Sequence, residues 1–160
     1  MKELRYKPIG VIHSPFKEAK GTPIQPAAAD GAAGIIELEP EYCDGLEDIQ
    51  GFSHIILVYH FHLSRGYSLK VKPFLDDRLH GIFSTRAPRR PNQIGISIVR
   101  LIKVEGCRLY IEDVDIVDGA PLLDIKPYVP EFDTRQAERT GWISGKTEQV
   151  CRTKADERFL

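Results

Sequence analysis

No stretch of this 160-residue chain carries an apolar period of 3.6 long enough for a helix that could cover a sheet, and this constrains the fold more than any other feature. A doubly wound α/β architecture needs such helices between its strands and is therefore disfavoured. Ile and Val together number 26, against 10 Ala and 13 Leu, with 13 Gly and 11 Pro as punctuation. Branched residues in short runs between turn formers describe a β-rich chain. About seven strands with few helices point to a barrel or a sandwich.

The strands can be placed. Arg5 to Ile12 is predicted as the first, ending at His13-Ser14-Pro15, and Gly34 to Leu38 as a short second. Between them, Gly21 to Gly34 has no periodicity and reads as a loop. Leu46, Ile49 and Phe52 are spaced like a short helix capped by Asp44 and stopped near Gly51. His54 to Phe61 is a dense apolar run, predicted as a central strand buried on both faces. Leu79 to Ser84 and Ile94 to Val104 follow, the latter alternating Ile94, Ile96 and Ile98 with Gly95, Ser97 and Val99. Cys107 to Ile116 makes a hairpin after Glu105-Gly106, and its change of parity between Ile111 and Val114 suggests a bulge. Leu122 to Lys126 is the last core strand, and Asp133 to Arg139 could form one or two helical turns. The reading is thus one domain, 1–143, followed by a polar tail, 144–160, expected to be partly ordered at best. A barrel of about seven short strands closes imperfectly, and a second copy would cover its edges.

Lys plus Arg is 22 and Asp plus Glu is 23, for a net charge of −1, so a whole-surface nucleic-acid binder is excluded but a local basic patch is not. No apolar run has the roughly 18 residues of a membrane span. Met1 to Pro8 is charged and does not read as a signal peptide, so the cytoplasm is the expected location. Cys43, Cys107 and Cys151 are far apart, odd in number and without a Cys-x-x-Cys pair. They read as three free thiols in a reducing compartment.

No Gly-x-Gly-x-x-Gly follows a strand, and Gly141 to Thr147 is one residue short of a phosphate-binding loop. His60 and His62 would share one face of the central strand. They are ordinary strand histidines or pocket lining, or metal ligands if Asp76 or His80 supplies a third group. The charge pattern says more. From Leu79 to Val104 there is no acid, yet Arg86, Arg89, Arg90, Arg100 and Lys103 lie there; from Leu109 to Ile125 there is no base, yet Glu112, Asp113, Asp115, Asp118 and Asp124 do. Two prolines stiffen the loop Ser84 to Gly95, and arginine's donor fork suits carboxylate and phosphate. Asp118-Gly119-Ala120-Pro121 reads as a turn, either a plain β-turn or a site element.

Ile9-Gly10-Val11-Ile12-His13-Ser14-Pro15-Phe16, Gly51-Phe52-Ser53-His54, Gly81 to Gly95, Asp118 to Pro121, and Leu123-Asp124-Ile125-Lys126-Pro127-Tyr128 together closely resemble the TsaA-like (TrmO) family. Its members are S-adenosylmethionine-dependent methyltransferases acting on N6 of threonylcarbamoyladenosine beside the tRNA anticodon. The resemblance implies a mainly β protein, a small single-domain β-barrel with a few short helices, working as a homodimer without a Rossmann fold. It places the methyl donor against Gln25, Pro26, His62, Leu63, Arg86, Ile96 and the turn Asp118, Gly119, Ala120 and Pro121. Beside it we expect Arg89, Arg90 and Lys126 to meet RNA phosphates and Asp124 to be the candidate general base, with no metal. Where the family has Pro-Asn-Pro-Ile-Gly, this chain has Pro91-Asn92-Gln93-Ile94-Gly95, a less rigid loop. The alternative is a noncatalytic RNA-binding or regulatory barrel of the same fold.

Overall fold

Six antiparallel strands close into a ring in the order Gly10–His13, Gly34–Leu38, Arg108–Glu112, Ile94–Glu105, His54–His60 and Ala120–Pro127. The computed structural model describes residues 3–156, 158 and 159, without the side chain of Cys151. The barrel strands are β1 (Gly10–His13), β2 (Gly34–Leu38), β3 (His54–His60), β6 (Ile94–Glu105), β7 (Arg108–Glu112) and β8 (Ala120–Pro127). Two short strands, β4 (Lys70–Val71) and β5 (His80–Gly81), pair separately in the long β3–β6 connection. A single α-helical turn, α1 (Pro130–Asp133), follows β8, and several 3-10 turns fill the connections. A closed ring leaves no free edge, so the sequence-based argument for a partner, that exposed edges need covering, does not apply.

The strand positions follow the sequence pattern, with instructive shifts. The first strand begins at Gly10 rather than Arg5, because Pro8 lacks an N–H; pairing opens with Ile9 N–H donating to the Leu122 carbonyl at 2.8 Å. The central strand is buried on one face only: Ile55, Leu57 and Tyr59 point inward, while His54, Ile56, Val58 and His60 remain partly exposed. A six-stranded barrel has one interior, so the apolar outer positions need a different cause. On β6 the alternation falls with Gly95, Ser97, Val99 and Leu101 inside and Ile94, Ile96 and Ile98 outside, 41%, 56% and 42% exposed. The parity change after Ile111 is no bulge in β7. The strand ends at Glu112, and Asp113 takes a left-handed φ of 64° that returns Val114 and Ile116 to the core. The shifts of register lie instead at Leu101/Lys103 and Val58/Tyr59. Residues 44–52, predicted as a helix, form 3-10 turns, Pro40–Leu46 and Ile49–Gly51; Leu79 to Ser84 contributes only β5 and a 3-10 turn, Ile82–Ser84; and the helical turn comes at 130–133, before the predicted span.

The cysteines are not all free. Cys43 and Cys107 form a disulfide, with Cα atoms 5.1 Å apart and a sequence separation of 64. Leu38 N–H donates to the Cys107 carbonyl at 3.0 Å, so the end of β2 lies at the β6–β7 turn and the following 3-10 turn brings Cys43 alongside. Nothing in the spacing of three cysteines reveals that proximity.

The C-terminal segment also has a defined place. Its residues 154–155 pair with the first loop through Gly21 N–H to the Ala155 carbonyl (2.8 Å) and Ala155 N–H to the Thr22 carbonyl (2.9 Å). Phe159 is buried in a satellite cluster with Val71, Ile82 and Ala87, its ring 5.1 Å from that of Phe74. One apolar side chain near the end thus fixes a stretch whose composition is otherwise polar.

Candidate functional site

Tyr59 at the end of β3 and Gly95 at the start of β6 are register partners, and the space above them is a cleft of about 890 Å³ at the barrel mouth. A Cβ on residue 95 would lie 2.5 Å from the Tyr59 ring and 2.8 Å from that of Phe61. Glycine there lets the two rings meet edge to face, 5.3 Å apart, as the floor. The first loop, the arginine loop, the strand ends and the C-terminal segment supply the walls. A largely apolar concavity with a few converging polar groups is the usual form of a small-molecule site.

Of the residues proposed from sequence to hold a ligand, Gln25, His62, Leu63, Arg86, Ile96 and Ala120 line this cleft. Arg86 Nη1 donates to Gln25 Oε1 at 2.7 Å, so the first loop holds one edge of the guanidinium and orients the rest. His62 is tuned toward its neutral form, mainly by burial and secondly by the charge of His60, with Asp118 opposing. Gly119, at φ +80°, brings its backbone close to the ring; a Cβ there would be 3.9 Å from His62 Nε2.

Asp118, Gly119, Pro121 and Pro26 are not among the lining residues. Asp118 faces the other way. Its Oδ1 accepts the Ser14 N–H at 3.0 Å and its Oδ2 meets Lys17 Nζ at 2.8 Å, which together hold its carboxyl below the usual carboxylate range. It fixes the corner between β1 and β8, whose backbones are joined there by Gly119 N–H to the Ile12 carbonyl at 2.9 Å.

The basic residues divide similarly. Arg90, expected to meet an RNA phosphate, turns back on its own loop: Nη1 donates to the carbonyls of Thr85 (2.8 Å), Ile82 (3.3 Å) and Ala87 (3.3 Å). It organises the loop that carries Arg86. Arg89 has a buried Nε with no hydrogen-bond partner among the described residues. Lys126 pairs with Asp124 at 2.7 Å, and Asp124 also accepts the Ile125 N–H, so the candidate base is outside the cleft and already partnered. Asp76 and His80 do not join His60 and His62. They bond to one another at 3.1 Å, and Lys146, 2.8 Å from Asp76, holds that carboxyl far below its ordinary range. Among the described residues there is no group of three His, Cys, Asp or Glu able to hold a metal.

Sequence reasoning passed over Asp115, which lines the cleft floor. Ser97 donates to its Oδ1 at 2.6 Å, and Ser97 in turn shares a 3.2 Å hydrogen bond with the Tyr59 hydroxyl. Burial pushes this carboxyl up to about 6, against the opposing pull of the Ser97 hydroxyl, its own N–H and the charge of Arg86. In sequence, Asp115 is one of five acids between Leu109 and Ile125, and nothing in the pattern sets it apart from the others.

These features define a closed β-barrel with a ligand cleft at its mouth, fed by strand ends and an arginine loop. The chain belongs to a family of that build: residues 11–134 match the tRNA-methyltransferase O N-terminal domain. A protein of Pyrococcus abyssi described as a "Probable S-adenosyl-L-methionine-binding protein" is 54% identical over 155 residues, covering 97% of this chain and 84% of its own. The human protein named tRNA (adenine(37)-N6)-methyltransferase is 37% identical over 139 residues, 81% of this chain but 31% of its own. The crystal structure of TrmO from Pseudomonas aeruginosa superposes with a TM-score of 0.74 at 38% identity, over 88% of this chain and 63% of that one.

Proposed function

We propose that this chain is an S-adenosylmethionine-dependent methyltransferase acting on N6 of threonylcarbamoyladenosine beside the tRNA anticodon. The observation that carries the reading is the cleft at the barrel mouth, where Arg86, held by Gln25, lies among apolar walls in a chain 37% identical to an enzyme named for adenine N6 methylation of tRNA. The residues present fit the donor: the cleft's roughly 890 Å³ lies in the range of small-molecule sites, with Ile96, Leu63 and Ala120 as apolar surface and neutral His62 adding no competing positive charge. When bound, the donor supplies an electrophilic methyl group on a sulfonium.

Within this reading the chain's task is to hold the reacting atoms in line. Arg86 presents the free edge of its guanidinium to a carboxylate, either the donor's or the threonyl group's. Arg89 is the arginine assigned to RNA phosphate. The protein works in the cytoplasm, where its substrate is; no helix among the described residues is long and apolar enough to cross a membrane. Structural disulfides are rare in that compartment outside hyperthermophiles, and Cys43–Cys107 is one such bond. A second copy covers the apolar outer face of β6 at Ile98, beyond the cleft.

The test is mass spectrometry of tRNA nucleosides after incubation with this protein and the donor. A mass gain of one methyl on threonylcarbamoyladenosine is the expected result. Methylation of plain adenosine alone would change the substrate, and RNA binding with no methyl transfer would favour the noncatalytic barrel.

A further inference from the structure

The cleft floor contains a carboxylate without a cation. Asp156, the other acid lining the cleft, pairs with Arg158 at 2.6 Å. Asp115 has no lysine or arginine at contact distance among the described residues. It is fixed by hydrogen bonds alone: Ser97 Oγ to Oδ1 at 2.6 Å, and behind Ser97 the Tyr59 hydroxyl at 3.2 Å. Ser97 is 2% exposed and Tyr59 4%, so this chain of hydroxyls sits in the packed barrel interior and sets the direction of the carboxyl.

We propose that Asp115 is the proton acceptor of this site. The inference rests on the methyltransferase reading and assigns a step that the reading leaves open. The attacking exocyclic nitrogen forms a bond to the methyl carbon as the carbon–sulfur bond breaks, its electron pair leaving on sulfur. The nitrogen's N–H proton passes to the Asp115 carboxylate, which becomes a neutral acid and later loses the proton to water. A base must be within reach of the proton it takes and ionised at working pH, and its efficiency is best when its pKa is near that pH. Asp115 faces the cleft, is oriented by Ser97, and has been pushed by burial to about 6, above an ordinary aspartate and still ionised at neutral pH. The groups that face it are Ser97 from β6, Tyr59 from β3 and Arg86 from the arginine loop; β8 presents only the methyl of Ala120 to the floor. Tyr59 is driven up by burial and by the Asp115 charge, so it remains a hydroxyl and does not compete for the proton. Asp124 has neither the location nor a free carboxyl for this role.

The test combines three readouts on the full chain. Donor affinity is measured by calorimetry, single-turnover methylation of tRNA is followed from pH 5 to 8, and the Asp115 carboxyl is titrated by carbon-13 NMR in donor-free protein. We expect the wild-type carboxyl to titrate near 6 and the rate to fall on the acid side with the same midpoint. Asp115→Asn should keep donor affinity, lose rate by a factor on the order of 10² to 10⁴, and lose the acid limb. Ser97→Ala removes a hydrogen bond that favours the carboxylate, so it should move both the NMR midpoint and the acid limb to higher pH, a coupled change that a packing role does not produce. The proposal is overturned if Asp115→Asn retains the wild-type rate or its acid limb, which would point to His62, or if it loses donor binding. It is also overturned if Ser97→Ala shifts the NMR midpoint and leaves the rate profile in place. If the wild type itself transfers no methyl group, the functional reading falls and this assignment with it; if the wild type is active and Asp115→Asn equally so, only the assignment falls.

Discussion

Ser97 on β6 donates its hydroxyl to Asp115 across 2.6 Å, yet the Asp115 carboxyl is pushed up to about 6 because the burial of its charge outweighs that bond. The folded protein therefore holds this proton more tightly than the unfolded chain, where an aspartate titrates near 4. Between those values the folded state binds more protons, so the Asp115 contribution to stability is full below about pH 4 and is lost as pH rises through about 6. Asp115→Asn keeps an acceptor for Ser97 and carries no charge. Its melting temperature should match that of the wild type near pH 4 and exceed it above pH 6. Thermal melts across that range check this, and equal differences at both pH values would refute it.

Asp118 works in the opposite sense. Lys17 and the Ser14 N–H lower its pKa, so its contribution is present above the unfolded value and disappears as pH falls through the folded one. Asp118→Ala removes charge-assisted bonds at the β1–β8 corner and should cost roughly 1.5–3 kcal/mol in urea unfolding at pH 7. Since the side chain faces away from the cleft, donor affinity should change far less. A variant of full stability with no donor binding would restore the ligand role expected from sequence.

The disulfide lies at the other end of the barrel from the cleft, beyond Glu105, the last residue of β6. Closing a loop of 64 residues limits the unfolded chain and stabilises by roughly 4 kcal/mol in the chain-entropy model. The double variant Cys43→Ser/Cys107→Ser should lose up to that much, lower the melting temperature and leave donor affinity intact. Mass mapping of unreduced peptides gives an independent check that the bond forms.

Strand positions were legible where alternation or a dense apolar run met turn residues, as in Gly34–Leu38 and Ile94–Glu105. Which face of β6 points inward was not. Composition favours burying Ile94, Ile96 and Ile98, but the barrel mouth has room only for Gly95 and Ser97 beneath the rings of Tyr59 and Phe61. The arginine loop was legible as a unit; the division of labour within it was not, since the inward turn of Arg90 depends on three carbonyls that the fold brings together. Asp115 escaped notice for a related reason: it lies in the β7–β8 connection, while Ser97, which orients it, and Tyr59 behind Ser97 are on β6 and β3.

Gly95 offers a steric test of the floor. In Gly95→Ala the new methyl group would sit 2.5 Å from the Tyr59 ring, a distance that real Cβ atoms do not adopt, so the ring must move. Overpacking of this kind costs typically 1–3 kcal/mol. Because Tyr59 supports Ser97 and Ser97 orients Asp115, the variant should also lose methylation rate beyond any loss of stability. A crystal structure or an NMR contact map of the variant would show whether Tyr59 has shifted.

The adjacent arginines should separate RNA binding from loop architecture. Arg90 caps carbonyls at 82, 85 and 87, and the same loop carries Arg86 into the cleft. Arg90→Ala should therefore disturb the loop, weaken donor binding and lower stability together. Arg89 makes no such bonds among the described residues, where its Nε is buried without a partner, and it is the arginine proposed to meet a phosphate. A chain with a net charge of −1 would need such local cations to hold RNA. Losing one phosphate contact should reduce the slope of log affinity against log salt by roughly 0.7–0.9. Arg89→Ala is thus expected to weaken tRNA binding, flatten its salt dependence by about one contact and leave donor affinity unchanged. Filter binding of tRNA at several salt concentrations, with calorimetry of the donor alongside, measures both quantities. An unchanged salt slope in Arg89→Ala would remove this residue from the RNA face, and a donor affinity unaffected by Arg90→Ala would show that the loop holds its shape without that cap.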